Sequence, residues 1–335
     1  MKRSNRAAQN GLAATFTCLV LVGVMSPPAW CENIWSATFS GVESFAPKQL
    51  AKSRSVTPEE LAISGGASGL AFDKSHNLWV VAGATQVLKF TVAQLKKLKT
   101  DSNPTPVETI TSSTFHSVIG CAFDPRGNLW LVDDAQHNFF QLSAAQLAAG
   151  SADVTPSIII NSAELSSPRF PTFDRAGNLW IDSLNNSTIA EFASQQLDSS
   201  GTKPPAIVIS DDGSDSSVNE PAEITFDKKG NMWVADAGSE TVVEFSPGQL
   251  TESGSPTPIV KLSSVAVDQD GDMSFAAPEG IAFEGTNLVV RNFNDGASMV
   301  KFSSRQLKSS GSPLPKVFLP GRFESPQQLI AGPTS

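Results

Sequence analysis

The stretch Ala122-Phe-Asp-Pro-Arg-Gly-Asn-Leu-Trp-Leu-Val132 decides the fold, because close copies of it return along the chain. Aligned on the Phe before the turn, they read GLAFDKSHNLWVV around Phe72, CAFDPRGNLWLV around Phe123, PTFDRAGNLWID around Phe173, ITFDKKGNMWVA around Phe226 and IAFEGTNLVVRN around Phe283. Intervals of 51, 50, 53 and 57 residues separate them. Two short apolar runs joined by a tight turn, recurring at that period, mark a blade-type unit that cannot bury its faces alone. Gly127 and its counterparts stand where a type I turn with a bulge requires positive φ, so the runs on either side are paired strands of one hairpin. His76 takes that place in the first copy, and in the fifth the loop, Glu284 to Asn287, is one residue shorter.

A second signal follows each hairpin: an aromatic residue or Leu, then five residues later the Leu of a Gln-Leu pair. Its members are Phe45/Leu50, Phe90/Leu95, Leu142/Leu147, Phe192/Leu197, Phe245/Leu250 and Phe302/Leu307. A Pro comes next (Pro58, Pro106, Pro156, Pro205, Pro258, Pro315) and opens a short β-branched run, as suits an edge strand. Each unit therefore has four strands, with a single helical turn and a solvated loop such as SSGTKPP or SGSPTP between the third and fourth. Asn33 to Phe45 resembles second and third strands, with Trp35 where Trp79, Trp130, Trp180 and Trp233 stand, but no first strand precedes it. The C-terminal SPQQLIAG matches the first strands at Pro278 and Pro221. The expectation is an all-β, six-bladed propeller of four-stranded antiparallel blades, closed by a C-terminal strand at about 327–331 pairing with the N-terminal strands at about 33–45. The Trp row is expected as core between blades.

Residues 1–31 stand apart as an expected signal peptide: a basic start at Lys2, Arg3 and Arg6, an apolar run from Gly11 to Met25, and Ala29 and Cys31 before a cleavage point. The remainder, 32–335, reads as one propeller domain, exported to a periplasmic or extracellular place and a monomer, with no stable membrane span once the leader is gone. Formal net charge is −9 and becomes more negative without the three leader bases. No basic stripe is available for phosphates, which excludes nucleic acid as a partner and favours cations. Cys121 is alone outside the leader and falls in an inner-strand core slot, so no disulfide framework is expected.

In a ring of this kind the start of the first strand and the end of the second lie at one end of the channel. The side chains there are Ser68, Ile119, Arg169, Glu223, Glu279 and Gln327/Gln328 on the first strands, and Ala82, Asp133/Asp134, Asp182, Asp236 and Arg291/Asn292 on the second. Converging acids raise one another's pKa and favour a cation. A separate run, Asp268-Gln-Asp270-Gly-Asp272, has the alternating carboxylates and bend Gly of a calcium loop, without the bidentate Glu that completes one. His116 and His137 lie in blade 2 loops and are too few for a His-rich zinc site.

The repeated FDxxGNLWV hairpin resembles those of NHL-repeat six-bladed propellers and of gluconolactonase-type and virginiamycin B lyase-type propellers, over residues 33–332. The resemblance implies the fold, since the shared residues are turn and core positions. Gluconolactonase-type enzymes imply a divalent metal held by acidic and Asn side chains on the inner strands; here Ser68, Ile119, Arg169, Ala222, Glu279 and Gln327 stand there, with Glu223 one place on. The lyases imply a central His and Glu constellation, and no inner-strand His pair exists. The functional expectation is a binding module presenting an acidic loop face to a protein, peptide, glycan or cation. The alternative is a metal-dependent lactonase, esterase-like hydrolase or lyase using Glu223, Glu279, Asp236 and Asp182, with calcium as the possible cofactor at Asp268, Asp270 and Asp272.

Overall fold

The computed structural model describes residues 32–150, 153–213, 218–267, 272–294, 298–320 and 326–332. Six antiparallel sheets form the blades of a propeller. From the channel outward, blade 1 is Ala67–Phe72, Leu78–Ala82, Gln86–Phe90 and Glu108–Thr111; blade 2 is Val118–Phe123, Leu129–Asp133, Asn138–Leu142 and Ile158–Asn161. Blade 3 is Pro168–Phe173, Leu179–Ser183, Thr188–Phe192 and Ile207–Ser210, and blade 4 is Pro221–Phe226, Met232–Asp236, Thr241–Phe245 and Val260–Ser263. Blade 5 is Pro278–Glu284, Asn287–Asn292, Met299–Phe302 and Val317–Leu319. Blade 6 takes its inner strand, Pro326–Gly332, from the end of the chain and the other three, Asn33–Thr38, Gly41–Phe45 and Glu59–Ala62, from its beginning. Trp35 lies opposite Ile330 and Ser36 opposite Leu329. Each inner strand touches the next around the circle, including that of blade 6 on that of blade 1.

The repeated hairpin is legible atom by atom. Asp124 Oδ1 accepts the backbone N–H groups of Arg126 and Asn128, while Oδ2 accepts the Asn128 side chain and the Trp130 indole at 2.8 and 3.2 Å. Asp73 and Asp174 do the same for Trp79 and Trp180. His76, Gly127, Gly177 and Gly230 all have positive φ at the turn, between 63° and 88°. Each indole then packs between blades: Trp35 on Phe72, Trp79 on Phe123, Trp180 on Phe226 and Trp233 on Phe283, edge to face at 5.6 to 6.2 Å. Truncating such a wholly buried ring costs about 3–5 kcal/mol. Cys121 is buried in the same kind of seam, between blades 1 and 2.

The Gln of each Gln-Leu pair is a latch. Its Oε1 accepts the N–H at the end of the third strand, and its Nε2 donates to the carbonyl just before the Pro: Gln49 to Thr57, Gln94 to Thr105, Gln146 to Thr155, Gln196 to Pro204, Gln249 to Thr257 and Gln306 to Leu314. The segments between, expected as solvated loops, are exposed yet paired. Each runs along the outer edge of the preceding blade as a strap. Gly201–Thr202 of blade 3 adds a parallel fifth strand to blade 2, Gly254 pairs with Ile209, and Gly311 with Leu262. The Ser before each Gly accepts an edge N–H, from Ile159, Val208 and Lys261. Those three Gly have φ of 140°, 155° and 150°, which a side chain would strain. Ser102, Val154 and Ser53 make the corresponding contacts on blades 6, 1 and 5. Edge strands left bare invite pairing with other chains, and these straps cover them.

Candidate site at the channel mouth

Every inner strand bulges where it starts: between Ala67 and Gly69, Val118 and Gly120, Pro168 and Pro171, Pro221 and Glu223, and Pro278 and Gly280, with a matching shift opposite Ser36–Thr38 in blade 6. An extra residue re-aims side chains. These are the first-strand positions picked out by the repeat, and most of them staple neighbouring blades. Ser68 donates to the Val118 carbonyl at 3.1 Å, and Gln328 Oε1 accepts Leu70 N–H at 2.7 Å. At Gly120 a Cβ would lie 2.4 Å from the Arg169 carbonyl oxygen, so blades 2 and 3 meet backbone to backbone.

Glu223 is buried and spans three blades. From blade 4 its Oε2 accepts Ile281 N–H of blade 5 at 2.8 Å, and both oxygens accept Leu329 N–H of blade 6 at 3.2 Å. Burial raises its pKa well above the ordinary carboxylate value, against the pull of those two N–H groups, and Asp182 adds repulsion. Asp182 on blade 3 is fully buried and lifted to about 8 by desolvation, opposed by Arg169 and by Phe170 N–H at 3.1 Å. Its Oδ2 has no hydrogen-bond partner among the described residues. Arg169 on blade 3 reaches Glu279 on blade 5, 3.8 Å away, and the two side chains are only 14% and 16% exposed. Burial raises Glu279 as well, and Arg169 lowers it. The mouth is thus one guanidinium among three carboxyls whose pKa values burial raises, Asp182 and Glu223 beneath the surface and Glu279 paired with Arg169 at it.

Asp236 belongs to a different device. It accepts Asn219 N–H at 2.6 Å and the Thr241 hydroxyl at 3.3 Å, and burial lifts it to about 6. Asp133 in the same register accepts N–H groups of His116, Ser117 and Gln136. Ser183 and Asn292 tie equivalent loops through Ser166 and Ser298. The register position is a loop latch. Arg291, one residue before it, is wholly buried and pairs with Glu43 of blade 6 at 2.8 Å. Among the described residues no three His, Cys, Asp or Glu side chains gather closely enough to share a metal ion. Asp268 and Asp270 lie outside the described residues; Asp272 is within them, its carbonyl accepting Val267 N–H at 2.7 Å, so the two ends of that loop meet. His116 Nδ1 is 2.8 Å from the Thr114 carbonyl oxygen, and His137 sits in a turn at positive φ.

Sequence reasoning missed the Gln latches and the straps. Their signal was present in the invariant Gln and in the Ser-Gly pairs at 200–201, 253–254 and 310–311.

No family model matches the sequence, and no curated protein matches it. Similar solved structures are many. A Bacteroides caccae protein of unknown function aligns with a TM-score of 0.60 and 10% identity, over 90% of this chain and 98% of that one. The nidogen/laminin complex aligns at 0.57 and 14%, over 90% and 98%. A catalytically inactive virginiamycin B lyase from Staphylococcus aureus with quinupristin aligns at 0.52 and 13%, over 83% of each chain. At these identities what the chain shares with them is its six-bladed propeller architecture.

Proposed function

We propose that this chain is an exported binding propeller whose acidic end receives a cationic partner, a Lys- or Arg-rich segment of a protein or peptide. The observation that carries the reading is the acidic composition of the loops at one end of the ring. Strand direction places the loops after second and fourth strands at the channel mouth, and these hold Asp134, Glu164, Asp211, Asp212, Glu220, Glu240 and Asp272 with no Lys or Arg among the described residues. The hairpin end is mixed in sign, with Lys74, Arg126, Arg175, Lys228 and Lys229 beside Asp73, Asp124, Asp174 and Asp227 in its turns. A predominantly acidic face steers an oppositely charged partner and raises its association rate. The Arg169–Glu279 pair at the centre supplies a fixed donor and acceptor for orientation. No helix among the described residues is long and apolar enough to cross a membrane. Two similar structures hold ligands by their titles, laminin with nidogen and quinupristin with the lyase, which accords with a ligand-holding ring.

The test is surface plasmon resonance with an oligolysine and an oligoglutamate peptide. Binding is expected for the first alone, with an association rate that falls as salt rises. The triple variant Asp134→Asn, Glu164→Gln, Glu240→Gln should slow association several-fold while melting as the parent does. Equal binding of both peptides, or an unchanged rate in the variant, overturns the reading.

A further inference from the structure

At the hairpin end, between blades 4 and 5, a cavity of about 350 Å³ is walled by Phe226, Trp233, Phe283 and Leu307, with the Glu244 carboxyl in its lining. The short fifth hairpin accounts for it. Glu284 pairs directly with Asn287 across a two-residue turn, whereas longer tips reach their neighbours, Lys74 donating to the Pro125 carbonyl and Arg175 to that of Lys228.

In blade 1 the same slot is filled from within. Lys89 stands opposite Trp79 on the third strand, its ammonium 4.9 Å from the indole centroid and 2.9 Å from Glu108 Oε1. Opposite Trp233 stands Glu244 instead. Blade 4 thus keeps the indole face and supplies a carboxylate, without a cation from that strand. Burial and the neighbouring Asp227 push Glu244 up to about 7, opposed by the Asn231 hydrogen bond and by Lys229. The hydrogen bonding is also incomplete here. Asn231 is shared between Asp227 and Glu244 at 2.9 and 2.7 Å, and Trp233 Nε1, unlike those of Trp79, Trp130 and Trp180, has no partner among the described residues.

We propose that this cavity binds an alkylammonium ligand, its nitrogen over the Trp233 ring and against Glu244, as Lys89 places its own ammonium in blade 1. Aromatic faces attract cations, the more so when water is excluded. Lys228, Lys229 and Lys308 also line the cavity, with Asp227 and Glu32, and the three lysines suit a carboxylate at the ligand's other end. The class is therefore amino acids whose primary amine is carried on a methylene chain. This site lies at the opposite end of the ring from the acidic mouth and stands or falls without it.

Calorimetric titration of the purified protein with 6-aminohexanoate tests the proposal. One saturable site is expected, roughly tenfold weaker in Glu244→Gln and unchanged in Glu191→Gln, which alters the matching position opposite Trp180 in blade 3. Hexanoate, lacking the amine, should not compete. Glu244→Lys installs a cation in the slot and should melt cooperatively while refusing the probe. No saturable binding at millimolar probe, competition by hexanoate, or parental affinity in Glu244→Gln or Glu244→Lys would overturn it.

Discussion

At the hairpin end, blades 1 to 3 close their turns with the same Asp carboxylate, holding two backbone N–H groups, an Asn amide and an indole. At the mouth end the loops share little beyond a latch, which is Asp133, Ser183, Asp236 or Asn292 according to blade. Repetition marks what every blade must do to stand beside its neighbours. Variation marks where blades have been free to differ, and there the loops hold acids such as Asp134, Glu164, Glu220 and Glu240 without a Lys or Arg among the described residues.

The comparison can be broken most severely by removing its frame. Deleting Ser325–Ser335 takes the inner strand from blade 6 and with it the Gln328–Leu70 and Glu223–Leu329 contacts. The loss should exceed the roughly 3–5 kcal/mol of one large core truncation, and an unchanged urea transition would show that closure is dispensable. A smaller effect separates the two ends directly. Asp124→Ala strips four hydrogen bonds from a repeated turn and should cost about 2–3 kcal/mol. Asp134→Ala, ten residues on and in a mouth loop, should stay within about 0.5 kcal/mol; equal losses by denaturation would erase the distinction.

A further effect depends on pH. Asp182 keeps its proton in the fold up to about 8, while the unfolded chain releases it near 3.9. The native state therefore binds more protons between those values, and stability from this group is present below about pH 4 and lost as pH rises through about 8. Asp182→Asn should melt a few degrees above the parent at pH 9 and converge with it at pH 4, as followed by calorimetry. A constant offset across that range would mean that Asp182 does not titrate in this window.

How far the chain could be read in advance follows the same division. Blade number, hairpin register and the split sixth blade were legible because Phe, Asp, Asn and Trp recur at fixed offsets and because Pro326–Gly332 matches other first strands. The mouth was only half legible. Alternation placed Arg169, Glu223 and Glu279 near the channel, but whether a carboxylate meets an ion or a backbone N–H depends on bulges that shift registers by one residue. Asp182 and Asp236 look alike in sequence, yet one is sealed between blades and the other ties down a loop. The cavity beside Trp233 depends on a single missing turn residue, a deletion whose result appears only when two blades are set side by side.

The straps make the modules interdependent in one rotational sense, since the rim of every blade but the fifth is guarded by residues encoded after it, and that of blade 5 by Ser53 from the start of the ring. A transplantable segment of this chain is therefore offset from the visible sheet: it must carry the following unit's Ser-Gly tract to avoid exporting a naked flank. Circular permutants opened at mouth loops such as 184–187 should keep every rim shielded, whereas those opened at 200–203 would leave the Ile158–Asn161 flank bare and the product prone to self-association.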